Sequence, residues 1–274
     1  MVVEQKAVEE GEEYKMAIKL EKIKEEKKKN KITFLLKGSD EVFANTIRRL
    51  VAEEVPTLAA EDLEIKENNS ALYDEMLALR LGLCPIKTDL KSYRLPTNKD
   101  EIEERAASCT LQMALKASKK GYVYADNATS KDPKCKFVYP KMPLTKLASK
   151  QKVDLIMYAV MGQGKEHIKW SPGLAWFKNK ANLTIKNDKD LIEKFKSKYP
   201  SQIFEKDQIS KDKIEKLGLC DAVDGICDDL IKVDYATDVF EFMLESWGQL
   251  TCNEILDEAS NILIQKAEEM EKLI

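Results

Sequence analysis

Residues 251–274 read TCNEILDEASNILIQKAEEMEKLI. Ile255, Leu256, Ala259, Ile262, Leu263, Ala267, Met270 and Leu273 recur there at three- and four-residue intervals, so they share one side of a long helix. This is the strongest periodic signal in the chain. A helix with so broad an apolar side has to cover something, either its own domain or another chain. The two are compatible if each takes one flank. Before it, Val239 to Leu244 has strand character and Gly248 supplies a turn.

Matching pieces lie near the other end of the sequence. Met16, Ile18 and Leu20 alternate with polar residues, and Ile32, Phe34 and Leu36 do so after the polar stretch Glu25 to Asn30, which predicts a two-stranded hairpin. The acidic first dozen residues lack periodicity and are expected to form a frayed tail. Gly38-Ser39-Asp40 then offers turn and N-cap chemistry. Val42, Phe43, Ile47, Leu50 and Val51 follow at helical spacing until Pro56 ends the run. Arg48 and Arg49 sit near the end of that helix, where they favour its dipole and can fork onto carboxylates; solvated arginines on a core helix are the plainer alternative.

Residues 57 to 165 mix strand-like runs (Leu63-Glu64-Ile65, Cys109 to Ala117, Tyr122-Val123-Tyr124, Lys152 to Val160) with a helical Tyr73 to Leu81 closed by Gly82 and Pro85. This pattern predicts an α+β domain. Lys178 to Lys216 is lysine-rich and weakly apolar, with Leu191, Ile192 and Phe195 as its clear cluster before the Tyr199-Pro200 break. It has the look of a small insertion.

Of 274 residues, 43% are hydrophobic and 34% charged, an ordinary globular balance. The net charge of -3 and pI near 5.6 argue against a surface that binds nucleic acid strongly, so any role near DNA is expected to be indirect. Nothing reads as a signal peptide or a membrane span of about 20 apolar residues, and a cytoplasmic location is expected. Six scattered cysteines (Cys84, Cys109, Cys135, Cys220, Cys227, Cys252) then read as reduced thiols.

Catalytic chemistry finds little support. Gly162-Gln163-Gly164-Lys165-Glu166 resembles part of a phosphate loop but lacks the four-residue spacer and the hydroxyl residue after the lysine. His167 is the single histidine, so paired-histidine metal motifs are excluded and a structural role is expected. Cys220 and Cys227 have neither the spacing of a zinc site nor the companions that hold an iron–sulfur cluster. The carboxylates form no aspartate triplet for catalytic magnesium.

Four segments, taken in order, resemble one family. Phe43-Ala44-Asn45-Thr46-Ile47-Arg48-Arg49 is similar to its first-helix signature, and Asp74-Glu75-Met76-Leu77-Ala78-Leu79-Arg80-Leu81-Gly82-Leu83-Cys84-Pro85-Ile86 to its DE…HRLGLIPI segment, with Leu79 where histidine is usual. Gly162 to Trp170 resembles its GxGxxHxKW segment, and Phe242 to Leu250 with the last helix its closing strand and helix. The family is that of the D polypeptide of archaeal DNA-directed RNA polymerase, the eukaryotic third-largest subunit and the bacterial alpha subunit.

The resemblance implies an α+β chain with a discontinuous dimerisation domain (residues 14–52 and 229–274) made of strands plus two amphipathic helices. It implies an inserted α+β domain at 53–165 and a small lysine-rich insertion at 166–228, ferredoxin-like but without the cluster cysteines. The implied function is a non-catalytic assembly subunit that pairs with the small subunit L, joined by N and P, as a platform for the large catalytic subunits. The residues it points to are Phe43, Asn45, Ile47, Leu50, Ile255, Leu256, Ile262 and Leu263 for the partner, with Arg48 and Arg49 toward the large subunits. No cofactor is expected, since only Cys220 and Cys227 remain near the family's cluster region. An iron–sulfur redox or regulatory protein, the alternative, needs another set of close cysteines.

Overall fold

The computed structural model describes residues 4–9 and 12–273, and side chains from Ile18 onward. The chain is a mixture of helices and antiparallel sheets. Strands β1 (Glu4–Glu9) and β2 (Glu12–Ala17) pair antiparallel, with Glu9 opposite Glu12, where the sequence led us to expect a tail. Met16 therefore faces Gln5 across that ladder and is not part of the next hairpin.

Strands β3 (Lys19–Glu26) and β4 (Lys31–Lys37) are neighbours, as the alternation predicts. Ile32, Phe34 and Leu36 on β4 are buried, whereas Leu20 and Ile23 on β3 are exposed. The difference arises because β3 is an edge strand, charged along its length, in a sheet ordered β3-β4-β14-β11. Helix α1 (Glu41–Arg49) is N-capped by Asp40, whose Oδ1 accepts the Phe43 N–H at 2.8 Å. It continues as a π-helical turn, Leu50–Glu54, before β5 (Thr57–Asn68).

The remaining elements are α2 (Asp74–Gly82), α3 (Lys99–Glu103), β6 (Thr110–Ala117), β7 (Gly121–Tyr124), β8 (Ala128–Ser130), β9 (Pro143–Leu147), β10 (Val153–Gly162) and β11 (Gly173–Ile185). There follow α4 (Lys189–Phe195), β12 (Phe204–Glu205), β13 (Gln208–Ile209), α5 (Lys211–Leu217), α6 (Cys220–Val223), β14 (Ile231–Ser246) and α7 (Cys252–Glu271). They fall into two compact units. One is drawn from residues 1–21, 34–44 and 177–242, the other from 22–33, 45–176 and 243–274.

In the first unit Phe34 stacks on Phe242 at 5.1 Å and Phe177 meets Phe240 edge-on at 5.6 Å. The lysine-rich stretch, expected to hold one small apolar cluster, has a fuller core. Ile203, Ile209, Ile214, Val223 and Leu230, all beyond the Tyr199-Pro200 break, join Ile192 and Leu183. Short helices hide this in the sequence, because seven residues give too few turns for periodicity to emerge.

In the second unit β10 is the centre of a four-stranded antiparallel sheet, β5-β10-β6-β8, with β5 on one side and β6 on the other. Leu58, Leu111, Met113, Leu115, Leu155 and Met157 pack there against Leu77 and Leu81 of α2 and Leu144 and Leu147 of β9. All six cysteines of the chain are free. Burial pushes the Cys84 and Cys135 thiols up to about 11, so both are packing groups rather than nucleophiles.

Candidate partner-binding surface

The second unit holds α7 and most of α1 with its π turn. Thr251 and Glu254 form a capping box at the start of α7: Glu254 Oε2 accepts the Thr251 N–H at 2.8 Å, and Thr251 Oγ1 accepts the Glu254 N–H at 3.3 Å. The helix buries Ile255 and Ala259 in its own unit. Leu256, Ile262 and Leu263 are half-buried. From Ile264 to the helix end every residue is exposed, Met270 to 66%. The apolar stripe seen in the sequence thus begins in this chain's core and runs out of it after about two turns.

On α1, Ile47 and Arg48 are half-buried and Asn45 and Arg49 exposed, while Leu50 is buried. Phe43, at the other end of the helix, is half-buried. Of the ten residues the sequence points to, Leu50 and Ile255 thus lie in the chain's own core and the others keep exposed surface. Arg48 Nε donates to Asn45 Oδ1 at 3.0 Å, and Arg49 reaches Glu53 with Nη2 at 3.0 Å. This bond to Glu53 holds the Arg49 guanidinium more firmly protonated than usual.

What fixes the π turn is the Gly162 to Trp170 segment. A Cβ on Gly164 would lie 2.0 Å from the Ala52 carbonyl oxygen, so only glycine lets the two backbones meet. Lys165 N–H donates to the Glu53 carbonyl at 3.0 Å, and Gln163 Nε2 to the Glu54 carbonyl at 2.7 Å. A Cβ on Gly162 would enter the Trp170 ring, whose Nε1 donates to the Val160 carbonyl at 3.0 Å. His167 Nδ1 accepts the Lys169 N–H at 3.1 Å and its ring meets Trp170 edge-on. The glycines that resemble a phosphate loop serve close backbone packing, and the histidine has the structural place expected of it.

Glu54 ties this turn to the last helix. Its carboxylate lies 3.1 Å from Lys165 Nζ and 2.8 Å from Lys266 Nζ. Burial pushes the carboxyl up, but the two ammoniums more than offset that and hold it below its ordinary 4.5. A depressed folded pKa gives stability that is present above 4.5 and lost as pH falls through the lower folded value. Both lysines are half-exposed, so Glu54→Gln is expected to cost only about 1 kcal/mol at pH 7. Denaturant unfolding at pH 7 and again below pH 4.5 checks this, since the two chains should converge in acid.

An apolar ridge on α2 escapes the sequence reading. Tyr73, Met76, Leu79 and Leu83 are all exposed, opposite the buried Leu77 and Leu81. The three- and four-residue spacing of Met76, Leu79 and Leu83 was the available signal, overshadowed by the core stripe one residue out of phase.

A mixed α/β chain in which a glycine-rich segment clamps the end of an amphipathic helix, and a second such helix extends past its own core, defines a protein built to be completed by others. Residues 63–173 match the model of the RNA polymerase Rpb3/RpoA insert domain. DNA-directed RNA polymerase subunit Rpo3 of Methanosarcina acetivorans is 36% identical over 245 residues, covering 86% of this chain and 91% of the relative. The subunit of the same name from Pyrococcus horikoshii is 34% identical over 248 residues, covering 88% and 93%. The chain belongs to the family of DNA-directed RNA polymerase subunit Rpo3.

Proposed function

We propose that this chain is the non-catalytic assembly subunit of an archaeal-type DNA-dependent RNA polymerase, working in the cytoplasm by pairing with the small subunit L. The observation that carries the reading is the apolar stripe of α7, which this chain buries at Ile255 and Ala259, covers only in part at Leu256, Ile262 and Leu263 and leaves exposed from Ile264 on. The half-buried Leu256, Ile262 and Leu263 of α7, with Phe43 and Ile47 of α1, supply the apolar contact, and obligate interfaces of this kind commonly exceed about 2,000 Å² in total. Asn45 lies on the same helix beside that contact, Arg48 and Arg49 extend toward the large subunits, and N and P complete the platform.

In this reading residues 14–52 and 229–274 form the dimerisation domain, 53–165 the inserted domain, and 166–228 the segment with the degenerate ferredoxin-like insertion, whose first strand β11 shares the sheet of β14, β4 and β3. An iron–sulfur cluster does not fit the insertion. Four thiolates normally hold one, and the segment has Cys220, which is buried, and Cys227. Among the described residues, no three or more His, Cys, Asp or Glu are grouped to hold a metal ion.

Co-expression with tagged subunit L, then size-exclusion chromatography with light scattering and an absorbance scan, tests both statements. A colourless one-to-one complex is the expected result. A monomer indifferent to L removes the pairing, and a brown peak absorbing near 400 nm removes the cluster-free reading.

A further inference from the structure

The net charge of -3 conceals a local asymmetry: residues 116–152 hold ten lysines against Asp126 and Asp132. The topology gathers six of the ten. Ala117 at the end of β6 is the register partner of Val153 at the start of β10, and Gly121 at the start of β7 that of Leu147 at the end of β9. The connections 118–120 and 148–152 therefore run side by side. Lys119 and Lys120 come beside Lys150 and Lys152, with Lys116 and Lys146 on the adjoining strand ends.

Lys116 is paired with Asp154 at 2.9 Å and Lys152 lies 3.9 Å from Glu67. Lys119, Lys120, Lys146 and Lys150 are exposed and have no carboxylate within ion-pair distance among the described residues. Lys146 stands opposite Tyr122 in the ladder, its ammonium 5.0 Å from the ring centre. Tyr122 is 57% and Tyr124 37% exposed, their rings 6.0 Å apart. Cations without a carboxylate partner beside exposed aromatic rings suit phosphates joined to unstacked bases. An acidic protein segment would match the charge and leave the rings without a flat partner.

We propose that this basic tip binds single-stranded nucleic acid, with phosphates on Lys119, Lys120, Lys146 and Lys150 and a base against the Tyr122 ring. The proposal goes beyond the assembly role, does not rest on it, and revises the expectation drawn from total charge. Neutralising four phosphates of a single strand releases counterions with a log–log salt slope of roughly -3.

The test is fluorescence anisotropy of labelled oligothymidylate with the full chain across a salt series, with unlabelled duplex and polyglutamate as competitors. The native chain is expected to show that slope. The variant K119Q/K120Q/K146Q/K150Q should lose at least about 30-fold at low salt with a slope near zero. Tyr122→Ala should lose roughly 10-fold with the slope kept. The single variants Lys119→Gln and Lys150→Gln, which sit in exposed loops, should each flatten the slope by about 0.7 and serve if the fourfold variant melts early. Unchanged slopes in these variants overturn the proposal. So does competition by duplex or polyglutamate equal to that of oligothymidylate, which would make the tip a duplex or acidic-protein contact.

Discussion

Ile262→Glu is expected to abolish co-purification with subunit L while leaving the insert domain folded. Ile262 is half-buried, one turn beyond the buried Ala259 and just before the stretch from Ile264 where α7 is fully exposed, so in the proposed pairing its open flank would meet the partner. A carboxylate placed in an apolar interface without a counter-charge costs about 3 kcal/mol or more, roughly a 100-fold loss of affinity. The same substitution removes little from this chain's own core, which takes Ile255 and Ala259 from α7. Circular dichroism melting of the isolated variant should therefore match the native chain within a few degrees. Normal recovery of subunit L by the variant would remove α7 from the interface, and a collapsed melt would show that Ile262 serves internal packing.

Gly164→Val is expected to lower the melting temperature by about 5–10 °C. The added Cβ would meet the Ala52 carbonyl oxygen at 2.0 Å and the Glu53 Cα at 3.3 Å, and both are backbone atoms with no rotamer to retreat into. Separation of the two segments breaks the Lys165 N–H bond to Glu53 and strains the Gln163 bond to Glu54. Each such part-buried polar group left unpaired costs about 1–3 kcal/mol. Because the turn carries Glu53 and Glu54, which hold Arg49 and Lys266, the variant should also pair more weakly with subunit L. Differential scanning calorimetry gives the first effect and the co-expression assay the second. A native-like melt would mean that the glycine is not what holds the turn.

The stripe on α7, the Asp40 cap on α1, the strands β6, β7 and β10 and the helix α2 were legible in the sequence, each carried by local spacing or cap chemistry. Two kinds of feature were not. The core of the lysine-rich segment is assembled from helices too short to show a period, and Leu20 gave a strand alternation although its strand ends at a sheet edge. In the candidate site, Leu50 and Ile255 could not be told from Leu256 and Ile262 by spacing, because a stripe fixes which side of a helix is apolar and not where along it the chain's own cover stops.

The sequence by itself thus determined the family, the α+β class and the presence of two amphipathic helices, since ordered motifs and periodicity are properties of the chain alone. Only the tertiary structure decided what the glycines at 162 and 164 are for, that Glu54 joins two helical elements more than 200 residues apart, and that lysines from two loops form one charged tip. These depend on which backbones approach one another, and a linear order of residues with total charge -3 averages such local fields away.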